Sequence, residues 1–311
     1  MNTRRSPDIL HRWEGNPLIT IEDLDFQCAS IFNAGAIKLG DEYLLLLTIQ
    51  SLEGFFAMYP ARSSDGLHFK VADKPLLAPS RSNPGSIYDR LGVLDPRIIP
   101  FGKTYYICYD ALSRHGYRLA LAKTNDFKRI THCGFVSEPD TKGGVLFPRK
   151  IKGKYARLER PWEGGSIWIS YSQNLNHWGW SEVVMTPRSG YWDCDRIGTS
   201  TSPIATEQGW LIIYYGVKRT SAGPLFRLGA ALLDIRNPAR VIGRTSIPIL
   251  SPRERYERIG DLPNLVFTCG MVIEDDQEIK VYYGASGSAI AMGTTKVDDL
   301  LAACLEGAEG R

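Results

Sequence analysis

Short apolar runs rich in aromatic and β-branched residues alternate with polar turns along the chain, and one pattern recurs. NAGAIKLGDEYLLLLTI from Asn33, DPRIIPFGKTYYICYDA from Asp95, FPRKIKGKYARLERP from Phe147, SPIATEQGWLIIYYGV from Ser202 and CGMVIEDDQEIKVYYGAS from Cys269 each read strand, tight polar turn, strand. The connections carry Gly, Asp, Asn or Lys, which is hairpin chemistry. Behind some of these hairpins, ARSSDGLHFK (Ala61 to Lys70), AKTNDFKRI (Ala122 to Ile130) and SYSQNLNHWG (Ser170 to Gly179) run from a small or hydroxyl residue to Asp or Asn and then to a large apolar side chain. That order predicts an outer hairpin turning on an Asx motif.

The units recur at intervals of roughly 50 to 70 residues. One four-stranded sheet cannot bury both of its faces alone, whereas five packed around an axis can. The pattern therefore predicts an all-β fold, a five-bladed β-propeller, as a single domain over residues 1–311. Only the tail VDDLLAACLEG (Val297 to Gly307) has helical spacing, with Leu300, Leu301 and Leu305 on one side, and it predicts a short C-terminal helix. A pair of β-sandwiches is the alternative, but it does not account for five similar hairpins.

A content of 37 basic and 34 acidic residues leaves a net charge of only +3, with no Lys- or Arg-rich run to track a phosphate backbone, so nucleic acid is excluded as a partner. No segment approaches the ~18 apolar residues of a membrane span, and the two arginines near the N-terminus are followed by no apolar h-region, so a cytoplasmic protein is expected. Cys28, Cys108, Cys133, Cys194, Cys269 and Cys304 lie far apart, which predicts buried free thiols. The five histidines form no ligand-spaced cluster, so no metal is expected.

In a propeller the starts of the inner strands converge on a central channel. Asp95-Pro96-Arg97 opens one of them, and Pro96, which cannot donate to a ladder, fits a first strand position. Asp95 and Arg97 are read as facing a polar funnel together with Asn33, Lys142, Arg149, Arg160, Asp193, Asp195 and Arg196 from neighbouring blade mouths. A local ion pair closing a blade is the competing reading for Asp95 and Arg97. Tyr191, Trp192, Trp162 and Phe267 are candidate stacking faces for a sugar ring.

FNAGAIKLGDEYLLL, GVLDPRI, VLFPRKIKGKYARLERP, IWISYSQNLNHWG, RIGTSTSPIATEQGWLIIYYGV and GDLPNLVFTCG, in that order, resemble glycoside hydrolase family 130 from about Arg12 to Lys296. The resemblance implies a five-bladed propeller that cleaves β-linked mannosides with inversion, using either inorganic phosphate, to give α-mannose 1-phosphate, or water. It places the family's catalytic carboxylate on Asp95, as the general acid that protonates the leaving oxygen through a hydroxyl of the bound mannose. That task calls for a raised pKa. It implies a phosphate site of Lys142, Arg160, Arg196 and Tyr215, and substrate contacts from Asn33, Arg97, Arg149, Asp193, Asp195 and Asp261.

The chain also departs from the family pattern. It reads Thr48-Ile49-Gln50 where Arg-Val-Glu is usual, Tyr215 where His is usual, and YYGASG where Tyr-Gly-Ala-Ala-Asp is usual. Inversion with water needs a second carboxylate as base, for which Asp193 or Asp195 is the candidate. Inversion with phosphate needs cations instead, and these are mostly present. The resemblance thus favours a glycoside phosphorylase with phosphate as co-substrate, no further cofactor, a manno-oligosaccharide as partner and room for a homo-oligomer. An inverting β-mannosidase and a non-catalytic sugar-binding propeller stay open.

Overall fold

The computed structural model describes residues 8–79 and 87–309. Its strands form five blades around an axis. Blade I comprises Ser30–Leu39, Glu42–Gln50, Phe56–Ser63 and Lys70–Val71. Blade II runs through Gly92–Phe101, Thr104–Ser113, Gly116–Thr124 and Thr131–Phe135, and touches blade I through one parallel bridge from Phe56 to Gly92. Blade III is Thr141–Leu146, Tyr155–Pro161, Ile167–Ser172 and Trp178–Met185. Blade IV has a broken inner strand, Arg196–Thr199 then Ile204–Ala205, followed by Trp210–Thr220, Gly223–Leu233 and Val241–Arg244.

Blade V joins the two ends of the chain. Its Val266–Ile273, Glu278–Ala285 and Ala289–Lys296 are completed by N-terminal strands His11–Arg12 and Ile19–Thr20, both paired antiparallel with Ala289–Lys296. A buried clasp secures the closure. Arg12 donates to both oxygens of Glu257 at 2.8 and 2.9 Å, and Glu257, wholly buried on the short helix Arg255–Arg258, also accepts from Tyr283 Oη at 2.9 Å.

The predicted Asx turns are present in three blades. Asp65 Oδ1 accepts the backbone N–H groups of Leu67 and His68, Asp126 Oδ1 those of Lys128 and Arg129, and Asn174 Oδ1 those of Asn176 and His177. The residue that follows each Asp or Asn is left-handed: Gly66 at φ 76°, Phe127 at 52° and Leu175 at 67°. For Phe127 and Leu175, burial of the side chain in the inter-blade core offsets that strain.

Apolar residues pack between blades, I against V, I against II, and II, III and IV together, while the C-terminal helix Val297–Glu309 closes blades IV and V. Its buried stripe is Val297, Leu300, Leu301 and Cys304; Leu305, expected on that face, is 37% exposed. The helix lies so close to blade IV that a Cβ at Gly243 would stand 2.3 Å from the carbonyl oxygen of Cys304. The six cysteines are unpaired, with Cys108, Cys269 and Cys304 buried and the other three half-buried. Among the described residues no helix is long and apolar enough to cross a membrane.

Two charge clusters carry measurable consequences. Asp193, assigned to the funnel from the sequence, is instead sealed in a cluster: Arg188 and Arg244 donate to its Oδ2 at 2.8 and 2.7 Å, and Tyr214 Oη donates to the same oxygen at 2.8 Å. The side chain has no exposed surface. Removing a carboxylate from such a cluster leaves two guanidinium groups without their counter-charge, so Asp193→Ala should lower unfolding free energy by about 3–5 kcal/mol in urea titrations. Between blades I and V, burial pushes the Glu274 carboxyl up, but hydrogen bonds from Lys38, Tyr43 and Lys280 outweigh it and hold it at about 2. A depressed carboxylate stabilises the fold above its ordinary value of 4.5, and that contribution is lost as pH falls toward 2. Melting temperatures recorded between these limits should fall less steeply for Glu274→Gln than for the wild type.

Candidate active site

The inner strands are interrupted at the same level in several blades. Ladder register slips between Ile31 and Ala34 in blade I, Leu94 and Arg97 in blade II, Lys142 and Val145 in blade III, and Thr268 and Gly270 in blade V. A bulge frees a residue from the ladder and re-aims its side chain. Here the freed positions include Asn33, Asp95 and Gly143, and all three line one axial cavity of about 370 Å³. Gly143 is left-handed at φ 65°, and a Cβ there would meet Thr199 Oγ1 at 2.8 Å.

Asp95 is fixed from three directions. It is left-handed at φ 56°, a region Asp tolerates better than most residues. Its N–H donates to Thr48 Oγ1 at 3.0 Å, its carbonyl accepts from Arg97 Nη1 at 2.8 Å, and its Oδ1 accepts from Asn33 Nδ2 at 2.7 Å. Only 8% of Asp95 is exposed. Thr48, one of the departures from the family pattern, is therefore the residue that anchors the backbone of this carboxylate.

Arg97 is buried in the cavity floor and ties blades together rather than pairing locally. Besides the carbonyl of Asp95, it donates to the carbonyls of Ser200 at 2.9 Å and Thr199 at 3.4 Å in blade IV, and it lies 5.9 Å from the Phe267 ring in blade V. Asp110, directly across the ladder from Leu94, brings a second carboxylate into the wall. It has no exposed surface; Oδ1 accepts the N–H of Gly143 at 2.9 Å, and Oδ2 has no partner among the described residues. Burial pushes the Asp110 carboxyl up, against the opposing pull of Lys142 and Arg97.

Lys142 is the cation of the wall with its ammonium over the Tyr117 ring at 3.9 Å. Burial draws its pKa down, but Asp110, ahead of Tyr117 and Asp95, outweighs this and raises it above the ordinary lysine value. Tyr215 also lines the cavity, packed edge-on against Phe267 at 5.0 Å. Asp261 stands at the exposed mouth, its Oδ2 accepting from Ser30 Oγ at 3.2 Å, and Gln50 and Phe226 complete the polar and aromatic wall.

Of the residues assigned to the funnel from the sequence, or to phosphate and substrate through the resemblance, the structure brings Asn33, Asp95, Arg97, Lys142, Tyr215 and Asp261 to this cavity and leaves five out of its lining. Arg160 is buried opposite Lys142 in the blade III ladder, with its guanidinium 5.3 Å from the Trp162 ring. Arg196 stands behind Phe226, 5.4 Å from that ring, and donates to Asp195 at 2.8 Å. Asp195 is held on its other side by Arg219 at 2.9 Å. Arg149 is exposed over the Trp210 ring at 4.9 Å, drawn away from the axis by that contact. Asp193 lies in the cluster described above, and Trp192 is core, stacked on Tyr214. Trp162 is 55% exposed and parallel to Tyr117 within 8°, which extends the aromatic wall outward.

Asp110 and Tyr117 were not singled out from the sequence, and Thr48 and Gln50 were noted only as departures from the family pattern. For Asp110 a signal exists: it is the one charge in the otherwise apolar run YYICYDAL. Among the described residues no group of three or more His, Cys, Asp or Glu is placed to hold a metal ion.

Comparison with known proteins agrees with the resemblance. A β-1,2-mannobiose phosphorylase of Listeria innocua is 31% identical, covering 94% of this chain and 97% of its own. A β-1,4-mannooligosaccharide phosphorylase of Ruminococcus albus is 29% identical over 94% of this chain and 90% of its own. The solved structure of the Listeria innocua enzyme with β-1,2-mannobiose superposes with a TM-score of 0.86, covering 95% of this chain and 99% of that one. The family model described as β-1,4-mannooligosaccharide phosphorylase matches residues 3–306, so the chain belongs to glycoside hydrolase family 130.

Proposed function

We propose that this protein is an inverting phosphorylase of β-linked mannosides, forming α-mannose 1-phosphate and a shortened acceptor sugar. The observation that carries the reading is the joint placement of Asp95 and Lys142 in one cavity wall, one able to give a proton and the other to hold an anion. Asp95 protonates the departing glycosidic oxygen through a hydroxyl of the mannose, and Asn33 orients its carboxyl. A phosphate oxygen then attacks the anomeric carbon from the opposite face, so the bond to the glycosidic oxygen breaks as that to phosphate forms and the configuration inverts. Asp261 at the mouth and Arg97 in the floor are proposed to contact sugar hydroxyls.

For the phosphate, Lys142 is the principal cation and Tyr215 a donor, with the buried Arg160 adding positive potential from beside Lys142 across the ladder. Arg196 joins only if phosphate draws it from Asp195. Arg149, Asp193 and Asp195 have no part in this reading. A cytoplasmic location fits a reaction that consumes free phosphate. Hydrolysis has lost both base candidates read from the sequence to ion pairs, but Asp110 and Asp261 keep that second reading worth testing at the same bench. Incubation with β-1,2- and β-1,4-mannobiose should yield mannose 1-phosphate only when phosphate is present; free mannose at the same rate without phosphate would establish the hydrolase.

Three substitutions report on the assigned roles. Asp95→Asn should keep the wild-type melting temperature and lose about 10²- to 10⁴-fold in turnover, the usual worth of general acid catalysis; a wild-type rate would remove Asp95 from the chemistry. Lys142→Ala should raise the KM for phosphate far more than that for the mannoside, measured by varying each substrate at saturating levels of the other, whereas Arg196→Ala should shift the phosphate KM less.

A further inference from the structure

The outer strand of blade III presents an exposed aromatic site away from the axis. Trp180 is 62% exposed and left-handed at φ 49°, a conformation that bulky aromatic residues seldom adopt. The cause is a bulge: the ladder pairs Ile169 with Glu182 and Tyr171 with Gly179, so two residues, Trp180 and Ser181, oppose one. Such a bulge aims a side chain outward at a cost to the strand, and backbone strain of this kind is retained where it serves a site.

Both indoles of this edge are braced. Lys154, from the first hairpin of the blade, places its ammonium 3.6 Å from the Trp180 ring. Trp178 donates through Nε1 to the carbonyl of Leu175 at 2.9 Å and is backed by the Arg157 guanidinium at 4.1 Å. Between them a recess of about 240 Å³ is lined by Trp178, Gly179, Trp180, Gln173, Asn174 and His177. The Asx turn spends the Asn174 side-chain oxygen on the backbone, and no described hydrogen bond uses its amide nitrogen. The outer strands of blades I, II and IV carry no tryptophan.

We infer that this recess is a second carbohydrate-binding site, which holds one pyranose ring of an oligosaccharide outside the catalytic cavity. A pyranose offers an apolar C–H face to a flat ring and hydroxyls at its edge, and the recess supplies braced indoles beside amide and imidazole groups. Its lining has no carboxylate, Lys or Arg, which suits an uncharged ligand. It is smaller than the ~300–1,000 Å³ of an enclosing ligand pocket, so it grips a single ring of a longer chain. The choice of mannosides as the ligand class rests on the function proposed above.

Isothermal titration of the Asp95→Asn protein with β-1,2- and β-1,4-manno-oligosaccharides should show two sites. Adding Trp180→Ala should weaken one of them at least tenfold, with Trp180→Phe restoring part of the loss, while Trp180→Ala alone should leave the kcat and KM for mannobiose unchanged. Binding that is indifferent to Trp180 with every glycan tried, xylo- and cello-oligosaccharides included, would overturn the site. Trp180-dependent binding of one of those other glycans, with none of mannosides, would overturn the ligand class while leaving the platform standing, and the axial cavity's reaction would still be decided by its own product assay. A Trp180→Ala protein of lower mass in light scattering would show the indole buried between two copies of this chain, and would also overturn it.

Discussion

The structure turns on one buried guanidinium. Arg97 lies at the axis with donors spread over carbonyls of blades II and IV and its face near an aromatic ring of blade V. A buried charge is costly unless its donors find partners and opposite charge is close, and here carbonyls take one N–H from each of its three nitrogens while Asp110 and Asp95 supply the field. The planar fork matters, because a lysine ammonium could not reach two blades in fixed directions at once. Since one arm of Arg97 holds the carbonyl of Asp95, the position of the proposed acid is set by the packing of the whole ring.

The axial bulges follow from the same constraint. A regular inner strand would alternate its side chains between neighbouring blades and offer the channel only backbone. Slipping the register once per strand, in four of the five blades, turns Asn33, Asp95 and Gly143 toward the axis at one depth. Blade IV reaches a similar result by breaking its inner strand between Thr199 and Ile204, which frees the carbonyls that Arg97 needs. Floor and walls are thus built by departures from ideal strand geometry at positions distant in sequence.

How much of this was legible in the sequence depended on the range of the interaction. Hairpins and Asx turns are decided within about ten residues, so the blades and their outer turns could be read directly, as Ser63-Ser64-Asp65 and its two counterparts illustrate. Asp95 was legible because Pro96, which cannot donate to a ladder, marks an interruption beside it, although that interruption is a bulge inside Gly92–Phe101 and not the strand's first position as expected. Asp193 and Arg149 were misplaced for a shared reason. Each is polar and close in sequence to a blade mouth, but its partner, Arg244 in one case and the Trp210 ring in the other, lies some 50 to 60 residues away and draws it off the axis. The closing strand His11–Arg12 was equally hidden, since two residues carry no periodicity.

That closing strand has a consequence for the order of events in the cell. Blade V cannot be completed until His11 meets Thr294 and Arg12 reaches Glu257, pairings that span most of the chain. During synthesis the first blades can fold on emergence from the ribosome, yet the face of blade I that packs against blade V has nothing to cover it until the last strands arrive. At ~5–20 residues per second, the ring stays open for roughly ten seconds or more. Over that interval the nascent chain presents an apolar sheet face that a chaperone could shield and a neighbouring chain could capture.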